Sequence, residues 1–194
     1  MDRIILASAS INRQKMMKAL GFSFKVVVSQ FDEDSVKETN QALRAKKIAI
    51  GKAKSVALSH KGIIIAADTF TVTEGKVFEK PKSNKDAKEM LRLLSGNKAI
   101  CYTGFCFINT KEGSNFSTTV KTEVWFRKLY EKELDEYVKI MPVTEWAAAY
   151  APSEMYVLGM IKKVKGSLTG LTHGLPAEYL VPLLKKAGFT PRVR

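Results

Sequence analysis

Asp68 follows an apolar run, Ile63-Ile64-Ile65-Ala66-Ala67, and is itself followed by Thr69. A buried carboxylate without a partner is costly, so an Asp in that place either does chemistry or caps a turn. Read as a strand, the run ends at Asp68, and ligands of open α/β sheets bind beyond strand ends. Asp68 is the leading candidate for acid/base work. A second group is Leu6-Ala7-Ser8-Ala9-Ser10-Ile11-Asn12-Arg13, which passes from a strand through small residues into a helix with an arginine in its first turn. Free backbone N–H groups and the helix dipole attract phosphate there, and Ser8, Ser10 and Arg13 add donors. The plainer reading is a capped helix with a surface arginine. Asp32-Glu33-Asp34 places three carboxylates together in a basic chain. Hard divalent cations take such oxygens, although a solvated acidic loop looks the same. Lys52 and Lys80, the latter fixed by Pro81, could face a polyanion, but single lysines mostly decorate surfaces.

Other chemistries lack their residues. There is no G-x-x-x-x-G-K-[ST] phosphate loop, no G-x-G-x-x-G turn and no G-x-S-x-G elbow. His60 and His173 are the only histidines, and nothing near His173 supports a Ser–His–Asp triad. Cys101 and Cys106 lie in one strand-like stretch at odd spacing, which points them to opposite faces. They read as core residues rather than as a disulfide or a zinc site.

The formal net charge is +13. It is spread over both halves of the chain and fits a nucleotide or a polymeric anion equally well. Hydrophobic residues make up 45% and charged residues 26%. These values exclude disorder and a disulfide scaffold and leave enough apolar surface for a core. The longest apolar run, from Trp146 to Ala151, is far short of a membrane span. The start, Met1-Asp2-Arg3 and then Ile4-Ile5-Leu6, lacks the apolar stretch of a signal peptide, so a cytoplasmic protein is expected.

The elements that must position these groups follow from periodicity and punctuation. Arg3 to Ala7 reads as a strand, Ser10 as an N-cap, and Arg13 to Leu20 as a helix stopped by Gly21. Phe24 to Val28 is a strand; Asn40 to Ser59 is a long helix with Leu43, Ala49, Ile50 and Ala53 inward. Ile63 to Ala67 is a short strand, with Phe70 to Thr73 extended beyond it and Glu74-Gly75 a hairpin turn. A helix over Asn84 to Leu94 precedes two strands, Ile100 to Asn109 and Ser117 to Arg127. Glu131 to Ile140 is a helix, Tyr156 to Val164 a strand, Gly166 to Gly174 a loop, and Pro176 to Lys186 the last helix. The order β-α-β-α-β-β-α-β-β-α-β-α predicts an α/β protein on a mixed sheet.

Several short motifs occur together in this order: Leu6-Ala-Ser-x-Ser10 with Arg13, Asp32-Glu33, Lys52-Ala53, Ala67-Asp68-Thr69, Glu79-Lys80-Pro81, Leu94-Ser95-Gly96, Tyr102-Thr103-Gly104, Thr122-x-Val-x-Phe126 and Gly174-Leu175-Pro176. This set resembles the Maf family of nucleotide pyrophosphatases, the septum-formation-inhibitor-like proteins, from Leu6 to the final helix. The resemblance implies a single domain over residues 1–194 with a mixed twisted sheet and flanking helices. It also implies an elongated two-lobed, Maf/ITPase-like body with a central cleft. It implies hydrolysis of a nucleoside triphosphate to the monophosphate and pyrophosphate, through metal-assisted attack of water at the α-phosphorus. Carried over by position, Asp68 is the catalytic acid/base and, with Glu33, holds Mg²⁺ or Mn²⁺. Ser8, Ser10, Arg13, Lys52 and Lys80 line the triphosphate. The implied partners are the nucleotide and a second copy of the chain, with no membrane and no specific nucleic acid.

The sequence departs from the family pattern at Ile11-Asn12, where Pro-Arg or Pro-Trp is usual. The segment commonly Asp-Lys-Ala-Gly-Ala-Tyr is here Glu145-Trp146-Ala147-Ala148-Ala149-Tyr150. Ser153, next to Glu154, stands where Gln or Glu is common. Asn12, Thr69 and Ser153 fall at positions tied to base preference. Thr69 matches the dTTP/UTP branch, while Asn12 and Ser153 match neither that branch nor the 7-methyl-GTP branch. The expected base choice is relaxed, with dTTP and UTP favoured. The competing reading is a Maf-like module that has lost turnover and binds nucleotide or nucleic acid.

Overall fold

The computed structural model describes residues 3–192; Met1, Asp2, Val193 and Arg194 lie outside it. The fold is α/β on a mixed seven-stranded sheet, in the order β2-β1-β3-β5-β6-β7, with β4 paired to β3. The strands are β1 (Ile4–Leu6), β2 (Phe24–Val26), β3 (Ile63–Thr73), β4 (Lys76–Phe78), β5 (Lys98–Asn109), β6 (Ser114–Phe126) and β7 (Ile161–Lys165). The helices are α1 (Ile11–Ala19), α2 (Gln41–Ala57), α3 (Asn84–Leu94), α4 (Glu131–Ile140), α5 (Met155–Leu158), α6 (Leu168–His173) and α7 (Ala177–Lys186). Strand β1 pairs in parallel with β2 and β3, whereas β3–β4 and β6–β7 are antiparallel. Among the described residues no helix is long and apolar enough to cross a membrane.

The chain forms two compact units. The first comprises residues 1–69, 103–120 and 169–194, the second residues 70–102 and 121–168. In the first unit β1 and the early part of β3 are buried on both faces, which is why they read as unbroken apolar runs. One face, with Ile4, Leu6, Ile63, Ile65 and Ala67, packs on Met16 and Met17 of α1 and Leu180 and Leu184 of α7. The other, with Ile5, Ala7, Ile64 and Ala66, packs on Ala49, Ala53 and Val56 of α2. Cys106 belongs to this second cluster, and burial pushes its thiol up to about 11, against a slight opposing pull from Lys54. Both cysteines are free and buried, as expected of core residues.

In the second unit α3 and α4 are joined by ion pairs of Arg92 and Lys88 with Glu131. Hydrogen bonds from Arg127 hold the Glu133 carboxyl down at about 2, and Glu133 also accepts from the Tyr130 N–H at the start of α4. The buried Tyr137 hydroxyl donates to the Ala149 carbonyl at 3.1 Å. Ala148 and Ala149 hold left-handed backbone at φ 58° and 61°. Left-handed backbone costs an alanine about 1–2 kcal/mol. A hydrogen bond from the Ala148 N–H to the Glu79 carbonyl helps hold the turn.

The structure corrects four local expectations. Asp68 does not end a strand: β3 continues to Thr73, because Thr71 to Thr73 pair with β4 across the Glu74-Gly75 turn. Helix α2 buries Ala45, Ile48, Ala49, Ala53 and Val56, whereas Leu43 is exposed. The true stripe follows the 3.6-residue period, and the expected set straddled it. The stretch from Tyr156 to Val164 is not one strand; α5 ends at Gly159, and β7 begins at Ile161. A short apolar run does not distinguish strand from helix by period. The expected loop from Gly166 to Gly174 contains α6.

Helix α2 reaches the sheet at Gly104 of β5, where a Cβ would lie 2.0 Å from the Ala45 carbonyl oxygen. No side chain fits without moving one backbone off the other. Gly104→Ala is expected to lower the unfolding free energy by about 2 kcal/mol or more, read by urea denaturation. A loss below about 0.5 kcal/mol, the scale of a neutral surface change, would contradict the packing.

Candidate active site

Strand β1 pairs with β3 as far as Leu6 opposite Ile65, with the Ala7 N–H still donating to the Ile65 carbonyl at 2.7 Å. Strand β3 carries on past this point. Side chains alternate along a strand, so Asp68 follows Ile64 and Ala66 toward α2, and Thr69 follows Ile65 and Ala67 toward α1 and α7. The two neighbours thus head two different clusters.

On the α2 side, Lys52 Nζ lies 2.9 Å from Asp68 Oδ1 and 2.8 Å from Glu33 Oε1. Lys52 falls in the inward stripe of α2, three residues after Ala49 and four before Val56, so its stem runs along the core and its ammonium emerges beside Asp68. The Lys52 and Asp68 side chains are each 13% exposed, while that of Glu33 is 49% exposed. Asp68 Oδ2 has no partner among the described residues. Glu33 sits in a 3-10 turn, Glu33–Ser35, capped by the Asp32 carboxylate, which accepts the Asp34 N–H. The turn is carried toward α2 by Phe31, whose ring lies against Gly51; a Cβ there would be 2.3 Å from the ring. The three acids therefore separate: Asp32 caps its own turn, Glu33 meets Lys52, and Asp34 is exposed.

On the other side Arg13 is buried, at 9% exposure, and ties three segments together. Its Nη1 donates to Ser8 Oγ at 2.9 Å, its Nε to the Gly174 carbonyl at 3.0 Å, and its Nη2 to Thr69 Oγ1 at 3.3 Å. Ser10 caps α1, as expected, and Ser8 Oγ also accepts the Ser10 N–H. Thr103 Oγ1 donates to the Gly170 carbonyl at 2.9 Å and lies 3.2 Å from Thr69 Oγ1. A hydroxyl has one proton; with that of Thr103 on Gly170, the Thr69 hydroxyl donates to Thr103 and accepts from Arg13. Gly174, at φ 64°, admits this arrangement, since a Cβ would come within 2.9 Å of Thr69 Oγ1 and 3.2 Å of Arg13 Nε.

The first unit thus brings together Ser8, Ser10, Arg13 and Thr69, and separately Glu33, Lys52 and Asp68. Asn12 is half-buried in the first turn of α1. Lys80 and Ser153 are residues of the second unit. Lys80 is exposed in the segment between β4 and α3. The Ser153 oxygen is buried without a hydrogen-bond partner among the described residues, as is that of Thr73. Sequence reasoning assigned no site role to Thr103, Gly174, Phe31 or Gly51. Thr103 and Gly174 stood inside recognisable motifs, whereas nothing local marked Phe31 or Gly51. Among the described residues no three or more His, Cys, Asp or Glu side chains gather as a self-sufficient metal cage.

The Maf-like protein family matches residues 3–187. The chain belongs to the Maf family. It is 33% identical over 188 residues to a dTTP/UTP pyrophosphatase of Syntrophus aciditrophicus (strain SB), covering 96% of this chain and 91% of that protein. It is 34% identical over 188 residues to a dTTP/UTP pyrophosphatase of Clostridium botulinum (strain Eklund 17B / Type B), covering 95% and 99%. Among solved structures, a HAM1 protein from Coxiella burnetii shares the fold at a TM-score of 0.53, with 16% sequence identity. That match covers 96% of this Maf chain and 100% of the other.

The burial and three-way bonding of Arg13 replace the plain reading of a surface arginine at a helix start. A lysine cannot reproduce a guanidinium fork. Arg13→Lys is expected to cost about 2 kcal/mol of stability through the acceptors it leaves unpaired, measured by chemical denaturation. A change within about 0.5 kcal/mol, normal for an exposed site, would return Arg13 to the surface.

Proposed function

We propose that the whole chain, residues 1–194, acts as one nucleoside triphosphate pyrophosphatase with a preference for dTTP and UTP. Water attacks the α-phosphorus, the bond from that phosphorus to the bridging oxygen breaks, and nucleoside monophosphate and pyrophosphate leave. The observation that carries this reading is the Lys52 ammonium held between Asp68 and Glu33, with Asp68 next in sequence to Thr69, which accepts from Arg13. The names of relatives at 33–34% identity point the same way.

Asp68 is the catalytic acid/base. Lys52 fixes its Oδ1, and Oδ2, which has no partner among the described residues, takes the proton of the attacking water. Ser8, Ser10 and the start of α1, with Arg13 behind them, line the triphosphate together with Lys52 and Lys80. Their donors and positive charge stabilise the negative charge that develops on the phosphate oxygens and on pyrophosphate. Glu33 and Asp68 are two carboxylates that already converge on one cation, Lys52. Mg²⁺ takes few protein carboxylates when phosphates and water complete its shell, so these residues fit Mg²⁺ or Mn²⁺ and would hold it. When bound, the ion supplies further neutralisation of the phosphate charge.

Asp68→Asn is expected to lower the rate of pyrophosphate release by about 10²-fold or more, with the fold retained by circular dichroism. The rate of the unmodified chain should also vanish in excess chelator and return with Mg²⁺ or Mn²⁺. A variant keeping more than about a tenth of the rate, outside the range for removal of a positioned acid/base, would remove Asp68 from the chemistry. Absence of pyrophosphate release from every nucleotide tested would favour the binding-module reading.

Base choice is assigned to Asn12, Thr69 and Ser153. With its proton on Thr103, the Thr69 hydroxyl offers a ligand only an acceptor. An acceptor pairs with the N3–H of thymine or uracil and not with N3 of cytosine. The Ser153 oxygen, without a partner among the described residues, can donate or accept, so it discriminates less. The kcat/KM for dTTP and UTP is therefore expected to exceed that for CTP by about 10- to 100-fold, the worth of one or two hydrogen bonds. A steady-state comparison with CTP, GTP, ATP and 7-methyl-GTP tests this. A preference above about a thousandfold, the mark of a fully paired polar reader, would contradict a relaxed pocket.

A further inference from the structure

The first unit has a cavity of about 430 Å³ at the other end of β1 and α1 from Ser8 and Ser10. That volume lies within the roughly 300–1,000 Å³ of small-molecule sites. Ile4, the first residue of β1, lines it, and so does Gly21, just past the end of α1. It shares no residue with the Ser8, Arg13, Lys52, Asp68 group.

The cavity wall is aromatic and its rim is basic. Phe22 is buried in the core beneath it, and Phe24 and Phe189 pack against the same cluster. Arg3, Lys25 and Arg192 are exposed around the opening, and among the described residues no acidic one lines it. Among the described residues none of the three cations has a carboxylate partner. The walls are fixed in place. The Arg192 N–H donates to the Gly21 carbonyl at 2.8 Å, and a Cβ on Gly21 would strike the Arg192 carbonyl oxygen at 2.6 Å. The segment that carries Phe189 and Arg192 is thereby held against the turn that carries Phe22 and Phe24.

Three cations around one opening repel each other and attract an anion. Aromatic walls favour a flat ring by stacking and by burial of its faces. We propose that this cavity is a second ligand site of the chain, for an aromatic phosphate such as a nucleoside monophosphate. The ring lies among Phe22, Phe24 and Phe189, and the phosphate meets Arg3, Lys25 and Arg192 at the rim. The site stands on these residues alone and does not depend on the hydrolytic reading.

Uridine monophosphate and phenyl phosphate are the probes, titrated into the full chain and followed by backbone amide NMR. The amides of Ser23, Phe24 and Thr190 are expected to shift with saturation. Lys25→Gln/Arg192→Gln should weaken that response by about tenfold or more, as loss of a charge-assisted contact does. Any change at Ser8 or Arg13 should keep its own midpoint in this variant. If the double variant does not fold, as its amide spectrum will show, Arg3→Gln/Lys25→Gln is the substitute. Uridine and inorganic phosphate alone should each bind at least about tenfold more weakly, since each satisfies half of the site. Silence at the three amides, an unaltered response in the double variant, or an equal response to inorganic phosphate would each overturn the proposal.

Discussion

Beyond the last residue of β1, β3 continues without its neighbour, and alternation sends its consecutive side chains to opposite faces. Asp68 therefore meets α2, and Thr69 meets Arg13 of α1 and the Gly174 turn. One extended strand supplies an acid to a lysine and a hydroxyl to an arginine, one residue apart. The buried run before it, Ile63 to Ala67, fixes the register of both by packing on each face. A shift of one residue would exchange the two faces. It would set Asp68 against Arg13 and remove the acid from Lys52.

Close approach is the second requirement, and absent side chains provide it. Gly104 lets α2 reach β5, Gly51 lets Phe31 bring Glu33 to Lys52, and Gly174 lets the chain close over Arg13 and Thr69. Each admits a contact that a methyl group would block. Only Gly174 among them has a left-handed backbone; Gly51 and Gly104 serve by size alone. The left-handed alanines at 148 and 149 show the reverse case. A conformation suited to glycine is kept without it, held by hydrogen bonds to Glu79 and Tyr137.

The charge of the chain has more than one use. In the second unit part of it is paired between elements: Arg92 and Lys88 with Glu131, and Arg127 with Glu133. These surface pairs orient α3 and α4 more than they stabilise them. In the first unit Lys52 is committed to two carboxylates, whereas Arg3, Lys25 and Arg192 face an open cavity. A net charge of +13 describes neither arrangement.

Much was legible in the sequence by itself. The apolar runs, the N-cap at Ser10, the turn at Glu74-Gly75 and helices such as Asn84 to Leu94 are local, because capping, turn geometry and side-chain period act over a few residues. The spaced motifs also marked the family. The sequence did not settle the continuation of β3 through Asp68, since that depends on pairing with β4, nor the fate of the short apolar stretch after Tyr156. It did not distinguish Arg13 as a surface charge from Arg13 as a buried tie among Ser8, Thr69 and Gly174, which lie up to 161 residues away. Residue types and spacing offered three neighbouring acids, among which only the family resemblance pointed to Glu33. The contact of Glu33 with Lys52 is made by a ring resting on a glycine and by an ammonium one residue further along α2. Contacts between segments distant in sequence depend on where the chain folds back, and only the packed tertiary structure decides them.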